Sequence, residues 1–114
     1  MSTYFSINES LNIGLNNGTA YCILEETRAY FDGTFSDCLN DIYEGYDIGM
    51  TLVIFNEASS ECYNYFYQKC EIAMKHFPDS EHADGMAPNL IAGIMLKWGE
   101  LLETLRKDPR YKVD

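Results

Sequence analysis

At 114 residues the chain fits one domain, long enough to bury a core without disulfide or metal staples. It is 46% apolar and 14% aromatic, too rich for intrinsic disorder, and no stretch approaches the ~18–20 apolar residues of a membrane span. Its net charge of −10 argues against nucleic acid or an anionic membrane as a direct partner, since such a surface repels both and attracts basic proteins.

The amino end, MSTYFSINES, lacks the basic and apolar regions of a secretory signal, so the chain is expected to stay in the cytosol. Residues 16–18, Asn-Asn-Gly, lie between apolar residues 11–15 and 20–24, where a hairpin turn would sit. Residues 19–31 suit a helix, with Ile23, Leu24, Thr27 and Tyr30 on one side, and the hairpin is the alternative to it. Residues 35–46 read as a helix opened by Thr34 or Ser36, its inner face made by Cys38, Leu39 and Ile42. The run TLVIF at 51–55 is either a buried strand or a turn of buried helix, and periodicity does not separate them.

The carboxy-terminal half is plainer. Cys62, Phe66, Cys70, Ala73 and Phe77 recur at helical spacing, widened by Tyr63, Tyr67 and Met74. Ser59 or Ser60 caps this helix, and Pro78 closes it by pushing the preceding residue out of helical geometry. A second helix over 87–107 carries Ile94, Trp98, Leu101, Leu102 and Leu105, with Asp84 near its cap and Pro88 in its first turn. Gly93 and Gly99 each cost about 1 kcal/mol against alanine, which close packing on the preceding helix would explain. The expected fold is a single mostly α domain over 1–114: an antiparallel helical hairpin (59–77, 87–107), with room for a small β element near the amino end.

Cys22, Cys38, Cys62 and Cys70 show no C-x-x-C pair. Cys62 and Cys70 sit eight residues apart on one helix, ~12 Å between α-carbons, too far to bridge. The expectation is four reduced thiols acting as small buried apolar groups, with no bound metal. The segment from His76 to Asp84 gathers two histidines and three carboxylates, but without the spacing of a zinc or calcium site. No nucleophile elbow or phosphate-binding glycine loop is present, so neither a catalytic residue nor a cofactor is assigned. The basic residues Arg106, Lys107, Arg110 and Lys112 are expected to pair with the acidic half.

Charge placement carries the functional signal. Residues 1–68 hold ten carboxylates and one cation, Arg28, whereas residues 69–114 are nearly balanced. The densest stretch holds Glu25, Glu26, Asp32, Asp37, Asp41, Glu44 and Asp47, with Tyr30, Tyr43 and Tyr46 among them. On a helix, Asp37, Asp41 and Glu44 fall at i, i+4 and i+7, a like-charge spacing that costs a few tenths of a kcal/mol per pair. Tyrosine supplies stiff amphipathic contact area of the kind enriched at interfaces. These ten residues are the expected partner-binding face.

In size, in a sequence pI near 4.4 and in its acidic, aromatic surface, the chain resembles the small acidic immunity proteins of the colicin and contact-dependent-inhibition kind. The resemblance implies a cytoplasmic, non-enzymatic inhibitor that occludes the active cleft of a basic toxin nuclease. A phage-type DNA mimic, of the anti-restriction or anti-CRISPR kind, is the alternative. A small metal-dependent or acid/base enzyme using the 76–84 segment is a third.

Overall fold

The computed structural model describes residues 1–112. Its elements are β1 (Ser2–Ser6), β2 (Asn12–Asn16), α1 (Asn17–Arg28), α2 (Ser36–Asp47), β3 (Leu52–Ile54), α3 (Ser60–His76), a 3₁₀ turn at Phe77–Asp79, and α4 (Pro88–Arg106). The expected mostly helical architecture stands, with the small sheet at the amino end.

Alternation builds that sheet. Thr3, Phe5 and Ile7 point inward while Tyr4 is exposed, the period-2 pattern of a strand with one buried face. β1 is central: it pairs antiparallel with β2, Phe5 opposite Ile13, and parallel with β3, Phe5 opposite Val53. Of the two readings of 51–55, the strand is correct, because Val53 and Phe55 alternate into the core. The hairpin turn lies at 7–11, where the Asn8 side chain accepts from the Ser10 and Leu11 N–H groups at 2.7 and 2.9 Å. Asn-Asn-Gly is no hairpin turn. Asn16 is the N-cap of α1 and accepts from the Gly18 N–H at 2.8 Å.

The α3–α4 hairpin is antiparallel, as contacts at both ends show. The Tyr63 hydroxyl donates to the Leu105 carbonyl at 2.6 Å, and further along the Trp98 indole N–H donates to the Cys70 carbonyl at 3.2 Å. Ser59 caps α3 by accepting from the Cys62 N–H. Cys62, Phe66, Ala73, Phe77, Ile94, Trp98, Leu101 and Leu105 are all buried in one core, which α1 completes with Ala20, Ile23 and Leu24. Ala87, not Asp84, caps α4, with Pro88 at its first position. The packing argument for Gly93 and Gly99 fails: a β-carbon at either would meet nothing within 4 Å. Gly45 of α2 is the glycine that packing requires, since a β-carbon there would lie 2.7 Å from the Leu52 carbonyl oxygen of β3.

Among the described residues, no ion pair joins the basic carboxy-terminal residues to the acidic half. Arg106 donates to the Tyr67 hydroxyl. Arg110 turns inward, its guanidinium donating to the carbonyls of Ile7 (2.9 Å), Phe55 (2.6 Å) and Ala58 (2.9 Å). It also pairs with Asp108 and lies over the Tyr63 ring, 4.3 Å from its centroid. Asp108 accepts in turn from Asn8 at 2.7 Å. One side chain thus ties together the β1 exit, the segment entering α3, and the carboxy-terminal end.

Two outcomes test this packing. Phe66→Ala should lose ~3–5 kcal/mol in denaturant unfolding, because Phe66 is fully buried. Hydrogen bonds from Arg110, followed by that from Asn8, hold the Asp108 carboxyl below its ordinary 3.8, at about 2. A lowered carboxylate pKa stabilises the fold above the unfolded value, and the increment is lost as pH falls through the folded one. The wild type should therefore shed roughly 2 kcal/mol of this contribution between pH 3.8 and about 2. Asp108→Asn should lack that increment at neutral pH and show a flatter acid limb in equilibrium unfolding.

Candidate functional site

The ten residues expected on one face divide into three sets. Asp37, Asp41 and Glu44 stand along one exposed stripe of α2 and make no hydrogen bond or ion pair among the described residues. Glu57, which the sequence reading passed over, extends them: it lines one groove with Asp41 and Cys38. Its signal was weak, a single acidic residue in a loop ten positions beyond the dense stretch.

The second set surrounds Arg28. Its guanidinium donates to Asp47 at 2.7 Å and lies 3.4 Å from Glu25. The Tyr46 hydroxyl donates to Glu25 at 2.8 Å. Burial, then that hydrogen bond, raises the Tyr46 pKa well above its ordinary value. Tyr43 lies beneath and is a core residue, 2% exposed, its hydroxyl donating to the Leu24 carbonyl at 2.8 Å. The expectation that Tyr43 offers its ring to a partner is corrected: α2 needs an apolar residue at i+4 from Leu39, and Tyr43 supplies it.

The third set faces elsewhere. Glu26 is one residue, or 100°, around α1 from Glu25, and pairs with His82 at 3.0 Å on the far side of the helix. Tyr30 stacks on His76 and is about a third exposed. Asp32 makes a reciprocal pair with Tyr65 of α3: its N–H donates to the Tyr65 oxygen at 3.0 Å, and its carboxylate accepts from the Tyr65 hydroxyl at 2.8 Å. Hydrogen bonds from Thr34, then from Tyr65, bring the Asp32 carboxyl down to about 2. Among the described residues, no group of three or more His, Cys, Asp or Glu side chains is placed to hold a metal ion, the 76–84 segment included.

Unusual backbone brackets α2. Phe35 precedes it at φ 58°, with no side-chain cap, and Thr51 follows at φ 51°, both left-handed geometries that non-glycine residues rarely adopt. A disulfide joins Cys38 in its first turns to Cys62 of α3, with α-carbons 6.5 Å apart, while Cys22 and Cys70 are free and buried. The expectation of four reduced thiols is therefore wrong for one pair. Periodicity within α3 excluded the local bridge, but nothing in the sequence reported that α2 leans its amino end on α3. A Cys38–Cys62 bridge also stands against the reducing compartment that four free thiols would suit.

Beside the stripe lies a cavity of about 160 Å³ between α1, the 31–34 segment and α2. Phe31, Leu39 and Tyr43 line its apolar side, and Thr34, Ser36 and Asn40 its polar side. Arg28 also lines it, and its Nε atom is buried without a hydrogen-bond partner.

No protein-family model and no curated protein sequence matches the chain. Its fold is similar to that of a chain in the solved complex of the CdiA-CT toxin from Burkholderia pseudomallei E479 with its cognate CdiI immunity protein. The TM-score is 0.76, with 15% identity over 94% of this chain and 96% of that one. At that identity the likeness is one of fold. The resemblance drawn from size and charge thus meets a structural neighbour from a contact-dependent-inhibition complex. No helix among the described residues is long and apolar enough to cross a membrane.

Oxidised, native protein unfolded in denaturant without reductant should give two reactive thiols, Cys22 and Cys70, and four only after reduction. Four thiols before reduction, in protein never exposed to reductant, would refute the Cys38–Cys62 link.

Proposed function

We propose that this chain is a non-enzymatic immunity protein that binds a toxin domain through the exposed face of α2 and blocks its active cleft. One observation carries the reading: Asp37, Asp41, Glu44 and Glu57 stand exposed with no ion pair among the described residues, on a fold shared with a chain from a toxin–immunity complex. The complementary partner is basic. Of the two kinds of protein in that complex, the inhibitor is the one to which such a surface belongs: a toxin that grips nucleic acid has to attract phosphates, and its inhibitor has to mimic them. The target activity that fits is therefore a nuclease, with carboxylates standing where substrate phosphates would lie. Meeting such a toxin at its substrate places the chain in the cytoplasm.

From Asp37 to Glu44 the stripe runs only ~10 Å along the helix, suited to a cleft rather than to the extended phosphate track a DNA mimic has to imitate. Of the expected tyrosines, Tyr46 keeps accessible surface on the α1 side of α2, Tyr30 keeps it on another face, and Tyr43 is buried. Glu25 and Asp47 are already paired to Arg28, so they shape the face more than they bind. Rim charges of this kind set association rate and salt dependence.

Asp37→Lys with Asp41→Lys, two exposed positions, should leave the circular-dichroism spectrum and unfolding midpoint nearly unchanged. The same pair should weaken binding to the cognate toxin domain by several kcal/mol, measured by calorimetry. The equivalent reversal at Glu100 and Glu103 of α4 should matter little. Wild-type affinity in the α2 double variant would sink the reading.

A further inference from the structure

Four features meet at the amino end of α2. First, the 32–35 segment holds two left-handed residues, Gly33 at φ 97° and Phe35 at φ 58°, the second without the exemption glycine enjoys. Strain of this kind persists only where its surroundings over-determine it, and it gathers at binding sites. Second, the surroundings do over-determine it: Asp32 and Tyr65 exchange two hydrogen bonds, the Asp32 carboxylate also accepts from the Thr34 N–H at 3.0 Å, and the Phe35 ring sits edge-on to Tyr65 at 5.5 Å. Third, Gly33 and Thr34 of the segment so held line the 160 Å³ cavity together with Phe31 and Tyr43, whose rings meet edge-to-face at 5.9 Å. Fourth, the Arg28 guanidinium lies 4.3 Å over the Tyr43 ring and is already neutralised by Asp47 and Glu25. The cavity therefore adjoins a strongly acidic stripe without itself inviting a second cation.

We infer that this cavity is a preformed socket for one aromatic side chain of the basic partner, seated as the acidic stripe of α2 docks. The inference rests on the inhibitor reading above and names the contact that fixes its register. Size suits a ring, since a cavity of ~150 Å³ lined by apolar side chains accommodates benzene. The lining suits it too: offset and edge-to-face contacts are the geometries aromatic rings prefer, and the half-buried Phe31 ring lines the cavity, backed by Tyr43. Thr34, Ser36 and Asn40 supply donors and acceptors for a phenolic oxygen at the mouth. Ser36 and Asn40 lie one turn apart on α2, flanking the stripe that begins at Asp37, so a partner gripping the stripe brings its surface directly over the socket. Interfaces concentrate their energy in such pocketed aromatic anchors, with surrounding charges steering the approach.

The test separates the socket from the inhibitor reading. p-Cresol, the tyrosine side-chain analogue, is titrated into isotope-labelled protein and followed by NMR. Saturable shifts are expected at Phe31, Gly33, Thr34 and Asn40, and should vanish in Asn40→Trp, which fills the cavity from an exposed helix position. Thr34→Trp is the second filling variant should the first disturb folding. Ethylguanidinium, the arginine analogue, should leave these signals in place. With the cognate toxin domain, Asn40→Trp should cost about thirtyfold in affinity, mostly in off-rate, with the salt dependence of association unchanged. No saturable cresol shift, an equal shift in the filled variants, or preferential binding of ethylguanidinium would each overturn the socket. A toxin domain that fails to bind the wild type would overturn the inhibitor reading, while the cresol result would still judge the cavity.

Discussion

The Arg110 guanidinium is the constraint on which the architecture turns. A three-residue β3 joined in parallel to β1 has little ladder of its own, and a two-strand hairpin alone is marginal in water. Arg110 reaches both sides of that join: the Ile7 carbonyl where β1 ends, and the Phe55 and Ala58 carbonyls where β3 gives way to α3. These carbonyls lie beyond the sheet's last paired positions, and only that of Phe55 has a backbone donor as well, the Ala58 N–H at 3.0 Å. A charged donor satisfies them, and Asp108, itself 4% exposed, balances its charge. Arginine suits this task because its planar fork delivers several N–H groups at fixed angles while stacking on Tyr63.

That internal use of cations shapes the outside of the molecule. Arg110 and Arg106 are engaged within the carboxy-terminal half, and Lys97 pairs with Glu100 on α4. On the acidic side Arg28 is held over Tyr43 between α1 and α2. All three arginines are thus engaged in holding elements together, and the α2 stripe has no ion pair among the described residues. Its isolation follows from where the arginines are needed for folding, as well as from the scarcity of lysine around it.

Legibility in the sequence followed the range of the interactions. α3 and α4 were readable because caps, proline stops and three-four spacing are local, and their inward residues are core residues in the fold. β1 was not read, since five residues with two inward side chains are too short to stand out, and its partner β3 lies more than forty residues away. Asn16 misled because asparagine before glycine serves a hairpin and a helix cap alike, and only the register of β1 on β2 decides. The same limit governs the site. The i, i+4, i+7 stripe on α2 was visible, but the burial of Tyr43, the capture of Glu26 by His82, the arrival of Glu57 and the Cys38–Cys62 link all depend on how α2 lies against its neighbours.

α2 is tethered along both halves, more firmly than its charge would favour. Its carboxy-terminal half is pressed on β3 at Gly45 and bonded to α1 through Tyr43, Tyr46 and Asp47. Its amino-terminal half, which carries Asp37 and Asp41, is tied by the disulfide, by Leu39 and by the Phe35–Tyr65 contact. Like charges along this helix repel one another in the folded chain, so salt relieves a cost of folding there. A basic partner meeting the same charges experiences attraction, which salt screens. The stripe therefore acts with opposite signs on folding and on docking. The tethers around it are what allow one helix to bear the first so that it can offer the second.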